Sequence, residues 1–166
     1  MTHQEFEAQV LAQMQPMYRL ASSMLKNEVD REDAVQSCIL KAWEKLHTLR
    51  DESKFRPWLM QILVNCCRTI LRKRKNEVLV DEPPFDPPAP PPNSELRFAL
   101  DELPEKDRLA IVLHYLEGME LADVAIALKA SVPAVKSRLA RARASLKKML
   151  KEDFEENEEI RFERCV

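Results

Sequence analysis

Seven prolines crowd into the segment VDEPPFDPPAPPPNS, and no continuous helix or strand can run through it. Each proline removes a backbone donor and fixes φ, which favours an extended polyproline II path. The chain is therefore divided in two. From Asn76 to Asn93 there are eighteen residues, which at about 3.1 Å each can reach roughly 55 Å, comparable with about sixteen base pairs of duplex. A solvated hinge, or a ligand for an SH3-type domain, would use the same composition. On either side, a single glycine in 166 residues leaves no Gly-rich phosphate loop, while abundant Leu, Ala, Lys, Glu and Arg favour helix. The sequence predicts an all-α protein of two small helical domains joined by a Pro-rich linker.

Net charge is only −2, but the charges are distributed in blocks. Asp51 to Lys75 carries seven Lys or Arg against two acids, and Arg108 to Leu150 carries eight against three. Between them, Asn76 to Asp107 has two cations against nine acids, and Lys151 to Val166 has three against seven. A uniform polyanion binder would not alternate in this way. No window approaches eighteen uninterrupted apolar residues, and the N-terminus lacks a basic region followed by an apolar stretch, so a soluble, intracellular chain without direct membrane insertion is expected. Cys38, Cys66, Cys67 and Cys165 form no C-x-x-C pair and are expected to be reduced thiols. With three scattered histidines, no metal site and no cofactor are expected.

In the first half, Phe6, Val10, Leu11 and Met14 repeat at helical spacing, and the pattern resumes at Met17, with Pro16 expected to break it. A further helix is expected near Asp30, capped by that carboxylate, with Val35, Ile39, Ala42, Trp43 and Leu46 inward and Asp33, Gln36 and Glu44 outward. Ser53 is expected to cap a third, reaching Lys75, with Phe55, Leu59, Ile62, Cys66 and Ile70 inward. In the second half, Glu95 to Leu103 and Glu105 to Leu116 read as short helices, begun at Pro104 and stopped at Gly118. Leu121, Val124, Ala125 and Leu128 then form a small amphipathic helix, Lys129 and Ala130 a tight turn, and Ser131 the cap of a long helix. That is helix-turn-helix spacing.

The long helix has one narrow apolar stripe: Val132, Val135, Leu139, Ala142, Leu146 and Met149. A coiled coil would produce this stripe too. Opposite lie Ser137, Ala140 and Ala144, small enough for close approach to another surface, with Lys136, Arg143 and Lys147 on one side and Arg141 and Lys148 on the other. Such cations suit phosphates across a groove and, for Lys136 and Arg141, guanine edges. A solvated surface is the plain alternative, but helix-turn-helix units place just this geometry in a major groove. The first domain's basic stretch differs, combining Phe55 and Trp58 with Arg68, Arg72, Lys73, Arg74 and Lys75. Aromatic faces beside a cation row suit single-strand capture, and Asn65 could bond a base edge. Equally, Trp58 could belong to the core and Asn65 could be an interhelical polar group.

Three blocks, in order, resemble the extracytoplasmic-function (group IV) sigma factors of bacterial RNA polymerase. DREDAVQSCILKAWEKL resembles that family's polymerase-binding helix of region 2, and SKFRPWLMQILVNCCRTILRKRK its promoter-melting segment. LPEKDRLAIVLHYLEGMELADVAIALKASVPAVKSRLARARASL resembles its region 4 helix-turn-helix. The resemblance implies a region 2-like domain over 1–76, a linker over 77–93, a region 4-like domain over 94–151 and an acidic tail over 152–166. It implies that Glu32, Asp33 and Gln36 grip core polymerase. Leu49, Arg50, Phe55, Trp58, Asn65, Arg68, Arg72 and Lys73 would serve the minus-ten element, whose flipped base the family holds near this loop and helix. Lys136, Ser137, Ala140, Arg141 and Arg143 would serve the minus-thirty-five element. Ser37, Cys38 and Ile39 depart from the family's usual residues after the region 2 glutamine, as do Leu49 and Asp51 in the minus-ten loop.

The expected function is a dissociable specificity subunit that binds core polymerase, recognises a promoter and helps open it. No nucleophile with a base, carboxylate pair or metal cage is apparent, so the chain is expected to be no enzyme and to take no small-molecule substrate. The resemblance adds an anti-sigma factor as a partner, one that could hold this cytoplasmic protein at the membrane. The acidic tail could compete with DNA for the basic helix. Two other classes remain open from the residues: a stand-alone helix-turn-helix regulator, and an adaptor using PPAPPP as its ligand.

Overall fold

The computed structural model describes residues 1–77 and 94–163, with the side chains of 94 and 152–163 left aside. The linker expected over 77–93 therefore lies, beyond Glu77, outside the described residues, and so do the side chains of the acidic tail. Among the described residues the chain is helical, without strands. The first domain comprises α1 (His3–Ala12), α2 (Met14–Met24), α3 (Glu28–Glu44) and α4 (Phe55–Asn76), with two short 3-10 turns before α4. The second comprises α5 (Ser94–Glu102), α6 (Glu105–Ile111), α7 (Leu121–Ala127) and α8 (Val132–Glu163), with a π-type turn over Val112–Leu116.

Local chemistry sets most boundaries, sometimes at residues other than those expected. The first break falls at Gln13, and Pro16 sits within the first turn of α2, where its missing N–H would have had no intrahelical partner. α3 begins at Glu28 rather than Asp30, because Asn27 is the cap and its side chain accepts from the Val29 N–H at 2.8 Å. Asp30 instead receives Nε and Nη2 of Arg74 at 3.0 and 2.8 Å, joining the start of α3 to the end of α4. Ser53 caps nothing; it lies in the 3-10 turn capped by Asp51, and α4 starts at Phe55. Pro104, Gly118 at φ +65° and Ser131, whose hydroxyl accepts from the Ala134 N–H, mark the second domain's boundaries as expected.

The two domains are not held apart: they share one continuous core. α4 packs on α2 and α3 and also on α7 of the second domain. Its expected inward face is buried at Phe55, Leu59, Ile62 and Cys66. Pro57, Met60, Leu63, Val64 and Cys67 are buried as well, so α4 is covered on more than one side. Lys54, Gln61 and Arg68, at intervals of seven, bond the second domain, and so does Arg56 through Glu117. Pro57 and Val64 fall on that same stripe, interleaved with polar side chains that disguise it as a solvent face.

Candidate nucleic-acid interface

The helix-turn-helix is assembled by three adjacent features. α7 buries Val124, Ala125 and Ala127. Lys129 takes the left-handed conformation at φ 49°, which reverses the chain. Ser131 then caps α8, which buries Val135, Leu139 and Ala142 against α6 and α7. The opposite face is open: Lys136, Ser137, Ala140, Arg141, Arg143 and Ala144 are all exposed. The sequence-predicted strip thus exists as one accessible surface, with small residues along its middle and cations at its edges.

Two of those cations have partners that sequence spacing gives no sign of. Arg143 Nη1 donates to the Tyr115 hydroxyl at 2.8 Å. Arg141 donates from Nε and Nη2 to both carboxylate oxygens of Asp107, and this pairing raises its pKa above the ordinary arginine value. Asp107 lies in the first turn of α6 and is buried.

In the first domain, Asn65, Arg72 and Lys73 are exposed along α4, while Arg68 is half-buried. Asn65, Arg68 and Arg72 line an open cleft with Thr69, Leu71 and, from the second domain, Glu105. Arg68 Nε donates to Glu105 at 2.9 Å, so one member of the expected minus-ten set is already engaged across the domains. Leu49 lines a second cleft with Leu46, His47 and Glu52, and Arg50 is exposed beside it. Phe55 departs from the expected stacking role. Its ring is 2% exposed and meets Phe6 edge-on at 5.9 Å, with Trp58 on another side at 5.9 Å. Burial leaves Phe55 supporting the loop and the start of α4 without a face for a base, while Trp58 is only partly covered.

On α3, Glu32, Asp33 and Gln36 are exposed on one side. Val29 and Leu40 continue the same stripe and are 61% and 66% exposed, large apolar side chains left in water at both ends of a polar centre. The sequence pattern pointed to neither: the helix it predicts begins near Asp30, past Val29, and Leu40 falls outside the apolar stripe of that helix.

The residues are also recognised as whole regions. A model of Sigma-70 region 2 matches residues 10–77, and a model of Sigma-70, region 4 matches 94–146. The RNA polymerase sigma factor SigV of Bacillus subtilis is 32% identical over 146 residues, covering 84% of this chain and 88% of the relative. The ECF RNA polymerase sigma factor EcfG of Rhodopseudomonas palustris is 31% identical over 166 residues, covering 92% and 91%. The chain belongs to the ECF sigma factors. As such it binds core RNA polymerase and promoter DNA and directs transcription initiation as an alternative sigma factor.

Among solved structures this sigma factor is similar to RpoE of Bartonella quintana in complex with the anti-sigma factor NepR. The TM-score is 0.74 at 28% identity, over 89% of this chain and 97% of that one. No helix among the described residues is long and apolar enough to cross a membrane. Among the same residues, no group of His, Cys, Asp and Glu is placed to hold a metal ion.

Proposed function

We propose that this sigma factor divides initiation among three surfaces. Glu32, Asp33 and Gln36, with Val29 and Leu40 beside them, dock on core polymerase: the polar centre supplies register and the apolar ends supply area removed from water. The minus-ten element is met by Leu49, Arg50, Trp58, Asn65, Arg68, Arg72 and Lys73, of which Arg68 must first leave Glu105. The minus-thirty-five element is read by Lys136, Ser137, Ala140, Arg141 and Arg143. Residues 1–76 and 94–151 act as the two reading domains, and 77–93 as the tether between them. The chain works in the cytoplasm and catalyses nothing itself; nucleotide addition belongs to the polymerase. An anti-sigma factor of the kind seen with RpoE is a further partner.

The open strip on α8 carries this assignment, because it combines a capped recognition helix, close-approach residues and flanking cations on one exposed face. Run-off transcription with purified core polymerase tests it. Wild type is expected to give initiation from a cognate promoter. Lys136→Ala and Arg141→Ala are each expected to lower it by roughly 5- to 150-fold, the range for losing about 1–3 kcal/mol of base contact, with core binding unchanged. Equal loss of core binding would refute the division of labour.

A further inference from the structure

Arg141 stands in an exposed strip, yet one edge of its guanidinium is already committed. Asp107, thirty-four residues earlier and only 6% exposed, places Oδ1 at 3.1 Å from Nη2 and Oδ2 at 3.4 Å from Nε. A guanidinium is a planar fork with five donors. With the Nε–Nη2 edge taken, the donors left for DNA are those of Nη1 and the second N–H of Nη2. Of these, one N–H of Nη1 and the free N–H of Nη2 lie side by side and form an edge of the kind that pairs bidentately with guanine O6 and N7. The carboxylate thus fixes the plane and direction of that free edge before any DNA arrives, so the ordering is not left to be done on binding.

Charge gives the same pairing a second meaning. Asp107 largely compensates the Arg141 charge and so weakens its general attraction to phosphates, which supply affinity without sequence information. Arg143 forms the contrast: its partner is the neutral Tyr115 hydroxyl, so its charge stays uncompensated for the backbone. One arginine keeps its charge, and the other trades charge for direction.

We propose that Asp107 is a positioning residue for promoter recognition: it aims the free edge of Arg141 at one base pair and thereby sets sequence discrimination at that position. The proposal rests on the assignment of α8 to the minus-thirty-five element, and the experiment separates the two. Holoenzyme made from purified core polymerase and the full chain transcribes a promoter library with the minus-thirty-five positions randomised, and the transcripts are sequenced. Wild type is expected to enrich particular bases; no enrichment at any position would overturn the assignment of α8, and the proposal with it.

Given enrichment, Asp107→Asn is expected to flatten the preference at one position at least fivefold while preferences elsewhere persist. Asp107→Glu, which keeps the carboxylate, is expected to restore part of it. In an Arg141→Ala background, Asp107→Asn is expected to change nothing further at that position. Because the readout is a ratio among templates in one reaction, it survives a modest loss of folded protein. A uniform fall across the library with preferences intact would reduce Asp107 to a structural role and overturn the proposal. A uniform rise with preferences intact would show that it merely neutralises Arg141, and would overturn it equally.

Discussion

Burial decides the chemistry of three thiols, Cys38, Cys66 and Cys67, all free and enclosed between helices. Cys38 Sγ donates to the Leu59 carbonyl at 3.6 Å, across the joint between α3 and α4. Desolvation disfavours a thiolate, so all three titrate above the ordinary value of 9.0, Cys67 being pushed up to about 12. A thiol whose pKa is raised by folding contributes its full stability below pH 9, and that contribution is lost as pH rises from 9 toward 12. Near neutrality the practical consequence is inertness, because the thiolate is the nucleophile. With Cys165 replaced by Ser, the folded chain is expected to take up less than about one equivalent of a thiol reagent within minutes at pH 7.5, and about three in concentrated urea. Prompt reaction of two or more thiols without denaturant would contradict the packing.

At the level of single elements, the long basic helix depends on how it is started. The Ser131 hydroxyl accepts from the Ala134 N–H at 3.2 Å, and Lys129 supplies the left-handed residue before it. Ser131→Ala is expected to lower thermal stability by about 1 kcal/mol, the usual cost of losing such a cap. Its effect on transcription should be no larger than the lost folding accounts for, since the exposed face of α8 is untouched. An unchanged melting temperature would show that the cap contributes nothing. The motif was legible because each of its boundaries has its own chemistry within a few residues: Gly118, Ser131 and a stripe at three- and four-residue spacing. The start of α3 was less so, since Asn27 and Asp30 are both good caps and only the distant Arg74 explains why Asp30 serves elsewhere. Asp107 was beyond reach, because an acid in a helix's first turn is already explained by the dipole. Val29 was hidden by the late start expected for α3, and the second buried face of α4 by the polar side chains interleaved along it.

Across the whole molecule, the docked domains must be reconciled with a protein that reads two promoter elements. Beyond the shared apolar core, polar ties hold them. Lys54 meets Asp123 at 2.8 Å, Arg68 meets Glu105, and the Gln61 amide donates to the Ile126 carbonyl at 2.9 Å. The centre is Glu117, whose side chain is 1% exposed. It accepts Nε and Nη2 of Arg19 at 2.6 and 2.9 Å, with Arg56 at 3.6 Å, and both arginines come from the first domain. The other two ion pairs between the domains are only part-buried, and pairs within reach of solvent are worth little and are screened by salt. Glu117 differs because its carboxylate is dry, and a buried charge deprived of its partners is costly. Glu117→Gln keeps the shape but removes the charge, so Arg19 loses its ion pair, while Arg56 keeps the bond from its Nη2 to the Glu117 backbone carbonyl at 2.7 Å. Since both are partly exposed, the loss is expected to be about 1–3 kcal/mol, well short of that for a fully enclosed pair. An interface held by little more than that would shift toward separated domains. Small-angle scattering should then show a larger radius of gyration for Glu117→Gln than for wild type, with helix content by circular dichroism unchanged. If separation is what frees Arg68 for DNA, the same substitution should raise transcription at limiting sigma factor. A larger radius without that gain would mean that docking does not restrain promoter binding, and an unchanged radius would leave the apolar core, rather than Glu117, as what keeps the domains together.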